Sequence, residues 1–417
     1  MVNNLISNFK ETSQNLQKFF QKKSNFEKIL ILSWTLIPFL MMLSNSITDL
    51  IIIIIGFSFL IKSIIRSSWE WLKIYWIKWA ILFLVTGIIS SIISSNIETS
   101  LFNGLSWIRF PLFVIAISTW LVKEKEFLYI ALIFNFFALF FIFILMGLES
   151  ILTDNYTFTW PFRNPLNGPY IHRIGLFFFA ASLIIIFSRN KYNFLLLFSL
   201  LFIFISFFFS LLSGHRAGSF NFVIITIILI FWPYFNLKKS VIIILVFFQI
   251  MVVLFYLNPI QFDRYFVSII NLSNTSLIQY IGLWKTGINA FFDNPILGIG
   301  PTNVQNYLEL GLIQNFDPFK NNEHPHNHYI QAFSETGIIG GLAYIAMFYS
   351  IIMCCYRKTK IKLIEPDKLI IQGMFLTSLC LFWPFSNNYD LFGQQQNSFL
   401  WYVISIILVS NKSLKKQ

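Results

Sequence analysis

Apolar runs of about 15 to 22 residues, broken by short polar connections, recur along almost the whole of this chain. A helix needs about 20 consecutive apolar residues to cross the hydrocarbon layer of a bilayer. With 56% hydrophobic and 12% charged residues over 417 positions, and a mean hydropathy of +0.69, one soluble core cannot enclose the apolar surface. A transmembrane β-barrel would show alternating segments of roughly ten residues, and runs such as Ile51–Ile55 or Phe207–Phe209 do not alternate. Inside lipid each backbone N–H and C=O must be satisfied within its own segment. The expected fold class is therefore an all-α polytopic integral membrane protein.

Twelve transmembrane helices are expected, near 29–44, 47–65, 79–95, 104–122, 127–147, 174–188, 194–213, 219–236, 241–257, 329–354, 369–386 and 397–411. Residues 1–28 are polar and lysine-rich and lack an apolar stretch followed by a cleavage site, so they read as a retained cytoplasmic arm. The expected organisation is 1–28 as that arm, 29–257 as spans one to nine, 258–328 as a large helical periplasmic loop, 329–411 as spans ten to twelve, and 412–417 as a cytoplasmic tail. An even number of spans puts both termini on one side, and cytoplasmic loops carry an excess of Lys and Arg. On this topology 23 of the 30 Lys and Arg residues fall inside. All five histidines, His172, His215, His324, His326 and His328, fall outside. In a Gram-negative cell that outer face is the periplasm, where ATP is absent and a bond-forming reaction needs a donor activated beforehand.

Two outer segments are long. Residues 148–173 hold several Pro, Asn and Gly and read as an ordered irregular loop. Residues 258–328 are too many for a structureless connection and read as a helical cap. Within it Ser276–Phe292 has an amphipathic pattern ended by Asp293-Asn294-Pro295, and Gly298-Ile299-Gly300-Pro301 marks a tight turn.

The 51 phenylalanines read as composition bias and lipid-facing surface rather than as a stacking site. Cys354, Cys355 and Cys380 fall in or beside spans and show no disulfide or metal-ligand spacing. The net charge of +12 is explained by topology, without a basic cluster interleaved with exposed aromatics that would indicate nucleic acid.

Chemistry concentrates at two places. Arg216, in Ser213-Gly214-His215-Arg216-Ala217-Gly218-Ser219, lies between two apolar runs. An unpaired charge at that depth costs about 2.5–3.5 kcal/mol on insertion scales. The plain reading is an arginine snorkelling to the interface. The functional reading is an anion contact, supported by the small residues around it and by His215 as a second donor. The other place is His324-Pro325-His326-Asn327-His328, three imidazoles in five residues. They read as solvated loop histidines, as metal ligands with Glu323 the only adjacent carboxylate, or as a general base, because a neutral imidazole can take a proton from an attacking hydroxyl. Among them His326 is favoured as the base, since Asn327 starts the following helix and the Ser334, Gly337 and Gly341 face allows close helix packing.

These residues carry a resemblance. His326-Asn327, nine residues, then Gly337-Ile338-Ile339-Gly340 resembles the His-Asn/Ser/Gln-x9-Gly-x-x-Gly signature of the O-antigen ligase/polymerase family. The segment Asp293 to Pro301 is similar to the Pro-hydrophobic-hydrophobic-Gly-hydrophobic-Gly stretch that precedes the histidine there. The resemblance implies an inverting, metal-independent membrane glycosyltransferase of the type C-like architecture, without a cofactor. Its partners would be a glycan on undecaprenyl pyrophosphate, a lipid A-core acceptor and the bilayer of the inner membrane.

By match to the motif, His326 is the catalytic histidine and Arg216 the pyrophosphate contact. The chain departs from the family in having His215 where Ser is common. It also has Tyr280 where an arginine four residues before Trp284 is common, so Arg264 or Lys285 stand as substitutes. Arg109, Arg163 and Arg173 either extend an electropositive lining or anchor the interface, and His172, His324, His328 and Asn327 complete the candidate set. The resemblance implies a ligase first and a polymerase second. A flippase of lipid-linked sugars is a further reading, but a transporter places charges near mid-membrane and shows repeat halves, whereas these charges collect at the outer rim.

Overall fold

The computed structural model describes residues 21–153, 158–188, 194–231, 237–267, 276–304, 324–386 and 389–414, and every regular element among them is helical. Thirteen helices of 15 residues or more carry the architecture. They are α1 (Asn25–Leu43), α2 (Asn45–Ile65), α3 (Tyr75–Ile92), α4 (Ile97–Leu121), α5 (Lys125–Leu152), α6 (Asn167–Ser188), α7 (Phe194–Leu212), α8 (Arg216–Phe231), α9 (Leu237–Leu257), α10 (Ser276–Asp293), α11 (His328–Thr359), α12 (Asp367–Leu381) and α13 (Gln395–Ser413).

Nine of the helices among the described residues are long and apolar enough to cross a membrane: α1 to α7, α9 and α11. The chain is a multi-pass membrane protein. Helix α8 is apolar but shorter, α12 has 15 residues, and α13 carries Asn397, Ser398, Ser405, Ser410 and Asn411. Each of these three nevertheless lies where a span is expected.

Local chemistry sets the boundaries. Ser24 and Glu27 form a reciprocal capping box at the start of α1, each bond 3.2 Å. Ser44 alone joins α1 to α2, its backbone N–H closing the first on the Leu40 carbonyl while its hydroxyl accepts from Ile47 N–H. Helix α6 begins at Asn167, seven residues before the expected span, because Pro169 in a first turn forfeits no intrahelical bond. The irregular loop is correspondingly shorter than 148–173, and His172 and Arg173 are helical and fully buried. Of the arm 1–28 only its end is described. Of the expected loop 258–328 the segments 268–275 and 305–323 lie outside the described residues, as does 415–417 of the tail.

Helices α6 and α13 are buried along nearly their whole length and so sit at the centre of the bundle. Helix α13 packs on α2, α4, α5, α6, α11 and α12. Its polar groups are answered inside the bundle: Trp34 Nε1 donates to Ser405 Oγ at 2.9 Å, and Asn135 Nδ2 to Tyr402 Oη at 2.8 Å. Phenylalanine serves both surfaces. Phe137, Phe194 and Phe248 are exposed, while Phe179–Phe222 and Phe207–Phe247 stack at 4.3 Å between helices.

The two ends of the bundle differ chemically. At one end Lys62 of α2 pairs with Glu27 of α1 at 3.0 Å, Trp120 of α4 donates to the same carboxylate, and Lys239 of α9 caps the C-terminus of α6 through the Phe187 carbonyl. At the other end lie the starts of α2, α6, α8, α11 and α13, together with the histidines.

Candidate functional site

The site is assembled on a break in α11. At Gly337 the backbone takes φ 67 and ψ −171, a conformation essentially reserved for glycine. The break frees the carbonyls of Ser334 and Glu335, and residues 295–300 dock into it. Ile299 N–H donates to Ser334 O at 2.9 Å, Gly300 N–H to Glu335 O at 3.0 Å, and Ile338 N–H to Pro295 O at 2.8 Å. Ser90 Oγ of α3 adds a 2.6 Å bond to Glu335 O. The two glycine-bearing motifs therefore form one unit, and Gly337 acts as a hinge point, whereas helix packing was the expected role. Gly340 beside Thr86 of α3 does serve close packing.

Asn327 caps α11, its Oδ1 accepting from Tyr329 N–H at 3.0 Å and Ile330 N–H at 3.2 Å, while Nδ2 donates to Pro384 O. His326 immediately precedes it with φ 48, a left-handed conformation that aims the ring away from the helix. The ring packs against His324 at 4.1 Å and edge-on against Tyr280 of α10 at 4.9 Å. His326 N–H donates to His324 Nδ1, and burial holds the His324 imidazole well below its usual range. Asp390, in the loop between α12 and α13, lies within electrostatic reach of His326. Burial pushes the Asp390 carboxyl up; the Gln331 amide, the Phe392 and Gly393 N–H groups and His326 oppose this.

His328 turns inward, in contrast to a solvated loop histidine. Its Nδ1 lies 2.7 Å from Tyr344 Oη and its ring 4.3 Å from that of Tyr389. The Arg173 guanidinium also stands over Tyr389, at 4.3 Å from the centroid. Burial pushes the Tyr389 phenol up to about 12, against the pull of Arg173.

The second constellation is the turn from α7 to α8. Gly214 takes φ 67, and Gly218 N–H donates to His215 Nδ1 at 3.1 Å. A Cβ on Gly218 would meet His215 Nδ1 at 2.7 Å and His172 Cβ at 3.0 Å, so the glycine makes room for both imidazoles. Arg216 is the first residue of α8 and is partly exposed, where the guanidinium adds to the positive end of the helix dipole. Behind it Asn221 Nδ2 lies 2.6 Å from His172 Nε2 and donates to Ser386 Oγ at 2.8 Å.

The loop between α12 and α13 joins the two constellations. Its Ser386 binds Asn221 of α8, its Pro384 binds Asn327, its Tyr389 meets Arg173 and His328, and its Asp390 lies within electrostatic reach of His326. No motif in the sequence marks this loop. A lone carboxylate in the polar run from Asn387 to Asn397, between two apolar stretches, was the available signal.

Other candidates are placed differently from expectation. Arg109 is buried and bound to Asp49 at 2.8 Å and to Ser106 O, so its charge is met within the bundle. Lys285 is exposed on α10, whereas Tyr280, Gly287 and Phe291 form the face that meets the histidine segment and its helix, and Trp284 beside them meets Phe385 of the loop between α12 and α13. Helical periodicity turns Lys285 away from that face. Arg163 is exposed at φ 62. The side chain of Arg264 lies outside the described residues.

A family model described as O-Antigen ligase matches residues 201–345. The match supports an O-antigen ligase/polymerase family. Members of the O-antigen ligase/polymerase family are membrane glycosyltransferase-type enzymes. The matched stretch runs from within α7 to the middle of α11, so it contains Arg216, Tyr280, His326 and the Gly337 break. It ends before the loop that carries Tyr389 and Asp390. No curated protein matches the chain.

Proposed function

We propose that the chain is an O-antigen ligase that transfers a glycan from undecaprenyl pyrophosphate to a sugar hydroxyl of lipid A-core, at the periplasmic face of the inner membrane. The observation that carries this reading is the convergence of the His326 and Arg216 constellations on one loop at one end of the bundle, with both residues inside the O-antigen ligase match. Twelve spans with both termini cytoplasmic would place that end outside, as the distribution of basic residues suggests.

In this reaction His326 takes the proton of the acceptor hydroxyl as its oxygen attacks the anomeric carbon from the face opposite the diphosphate. The new carbon–oxygen bond forms as the bond to the diphosphate oxygen breaks, and that oxygen departs with the bonding pair. Arg216 offers a planar fork of donors to the departing diphosphate, and the N-terminus of α8 adds its dipole. The Asp390 carboxylate balances the imidazolium that His326 becomes. Inversion follows from attack on the far face.

His326→Ala is expected to lower transfer by about 100- to 10,000-fold, and Arg216→Ala to abolish detectable transfer, both with wild-type abundance in the membrane. The measurement is transfer from an undecaprenyl-pyrophosphate oligosaccharide to lipid A-core by the purified protein. Wild-type transfer by His326→Ala refutes the base assignment. Deletion of the gene separates ligase from polymerase. Polymer accumulating on the carrier with none on core supports the ligase. A single repeat unit still reaching core identifies a polymerase.

A further inference from the structure

Around Gln331 of α11 three side chains form a closed arrangement, of which the reaction above uses Asp390 alone. Gln331 and Glu335 occupy one face of α11, four residues apart, and both are fully buried. The Gln331 amide is oriented by its surroundings, because its Oε1 accepts the Leu391 N–H at 2.8 Å. Its Nε2 must then be the donor, and it donates to two carboxyls, Asp390 Oδ1 at 2.7 Å and Glu335 Oε2 at 3.1 Å. Two carboxyl oxygens on one nitrogen lie within about 6 Å of each other, and two carboxylates that close and enclosed do not both ionise readily. The loop that brings Asp390 here is held from the other side. Asn397 Nδ2 donates to the carbonyls of Asp390, Leu391 and Gly393, and Gln394 reaches Asp49.

We propose that Gln331 is a positioning residue whose amide clamps Glu335 and Asp390 into a pair carrying one negative charge, and that this charge rests on Asp390, where it faces His326. The inference rests on the assignment of His326 as the base. Asp390 is the member that carries the charge for three reasons. It accepts a further bond from Phe392 N–H at 3.1 Å, it is less enclosed than Glu335, and it is the one within electrostatic reach of His326. Among the described residues His324 on its own segment and Tyr280 on α10 also pack against the His326 ring, and neither supplies a carboxylate. A single fixed anion beside the base stabilises the imidazolium without requiring a second buried charge, and the clamp prevents Asp390 from swinging away when the proton arrives.

The test is steady-state transfer by the full-length protein in detergent, with an undecaprenyl-pyrophosphate oligosaccharide as donor. Gln331→Leu is expected to lower kcat by about ten- to hundred-fold, the worth of a hydrogen bond to a charged group, with KM for the donor within about twofold of wild type. The amide favours the ionised form of Asp390, so its loss moves the acid limb of the kcat profile to higher pH. In an Asp390→Asn background Gln331→Leu is expected to cost little more, because it acts through that carboxylate. Glu335→Gln, isosteric with a protonated carboxyl, is expected to keep a kcat at least about tenfold above that of Asp390→Asn.

Additive losses in the double variant, an unmoved acid limb in Gln331→Leu, or equal losses for Glu335→Gln and Asp390→Asn overturn the clamp. If Gln331→Leu does not fold, the Glu335→Gln and Asp390→Asn comparison decides alone. An active His326→Ala overturns the base assignment. The clamp fails by itself when His326→Ala is inactive and any of those three results appears.

Discussion

Asn327 shows how much one side chain settles at this site. Its carbonyl oxygen accepts from the N–H groups of Tyr329 and Ile330, the second and third residues of α11, and its amide nitrogen tethers the Pro384 carbonyl, so the same residue starts the helix and fixes the loop that carries Asp390. Asn327→Ala loses both functions and is expected to cost about 0.5–2 kcal/mol of stability. Asn327→Ser restores the cap but not the tether. A Ser variant with wild-type thermal midpoint in detergent and reduced transfer separates the two roles; equal transfer by the Ser and Asn proteins refutes the tether. Tyr280 is informative in the same way. The resemblance implied an arginine at that position, and the structure shows what the tyrosine there does: the phenol ring buttresses His326.

At the scale of the element, the break in α11 is the decisive feature. The sequence marked Gly337, Gly340 and the Pro295 to Pro301 segment as separate motifs, because spacing shows residue type and not which backbone groups are unsatisfied. In the structure the left-handed Gly337 opens the helix and the 295–300 backbone closes the opened hydrogen bonds. Gly337→Ala places a side chain in that conformation and against Ile296, and the backbone strain alone costs about 1–3 kcal/mol. The expected result is a lower thermal midpoint together with loss of transfer. A Gly337→Ala protein with unchanged midpoint and activity would show that the helix runs straight. Helix α10 supports the same unit: its apolar face was legible from its amphipathic pattern, but which face meets His326 was not, and that is why Lys285 stayed a candidate until the packing was seen.

Across the whole molecule, buried ionic and polar ties join helices distant in sequence. Asp49 of α2, Arg109 of α4 and Gln394 at the start of α13 form one chain of bonds, with the ion pair 8–9% exposed. Removing one partner of a buried pair leaves the other charge uncompensated, so Asp49→Asn is expected to lose about 3–5 kcal/mol. The double variant Asp49→Leu/Arg109→Met is expected to recover most of it. Thermal unfolding in detergent reads both values; a double variant no more stable than Asp49→Asn contradicts the pair's role.

The sequence by itself determined the membrane setting, the helical class, the approximate place of the long helices among the described residues, and the two residues on which the chemistry is proposed to turn. Those follow from quantities that a linear chain carries: run length against bilayer thickness, charge bias between loops, and rare polar residues in apolar surroundings. Only the tertiary structure decided which candidates share a site. Arg109 is claimed by Asp49, His172 and His328 turn into the bundle, and Asp390, more than sixty residues beyond His326, comes within its electrostatic reach. Enclosed charges and polar groups must be answered by partners, and partners are chosen by proximity after folding. No spacing along the chain encodes that proximity.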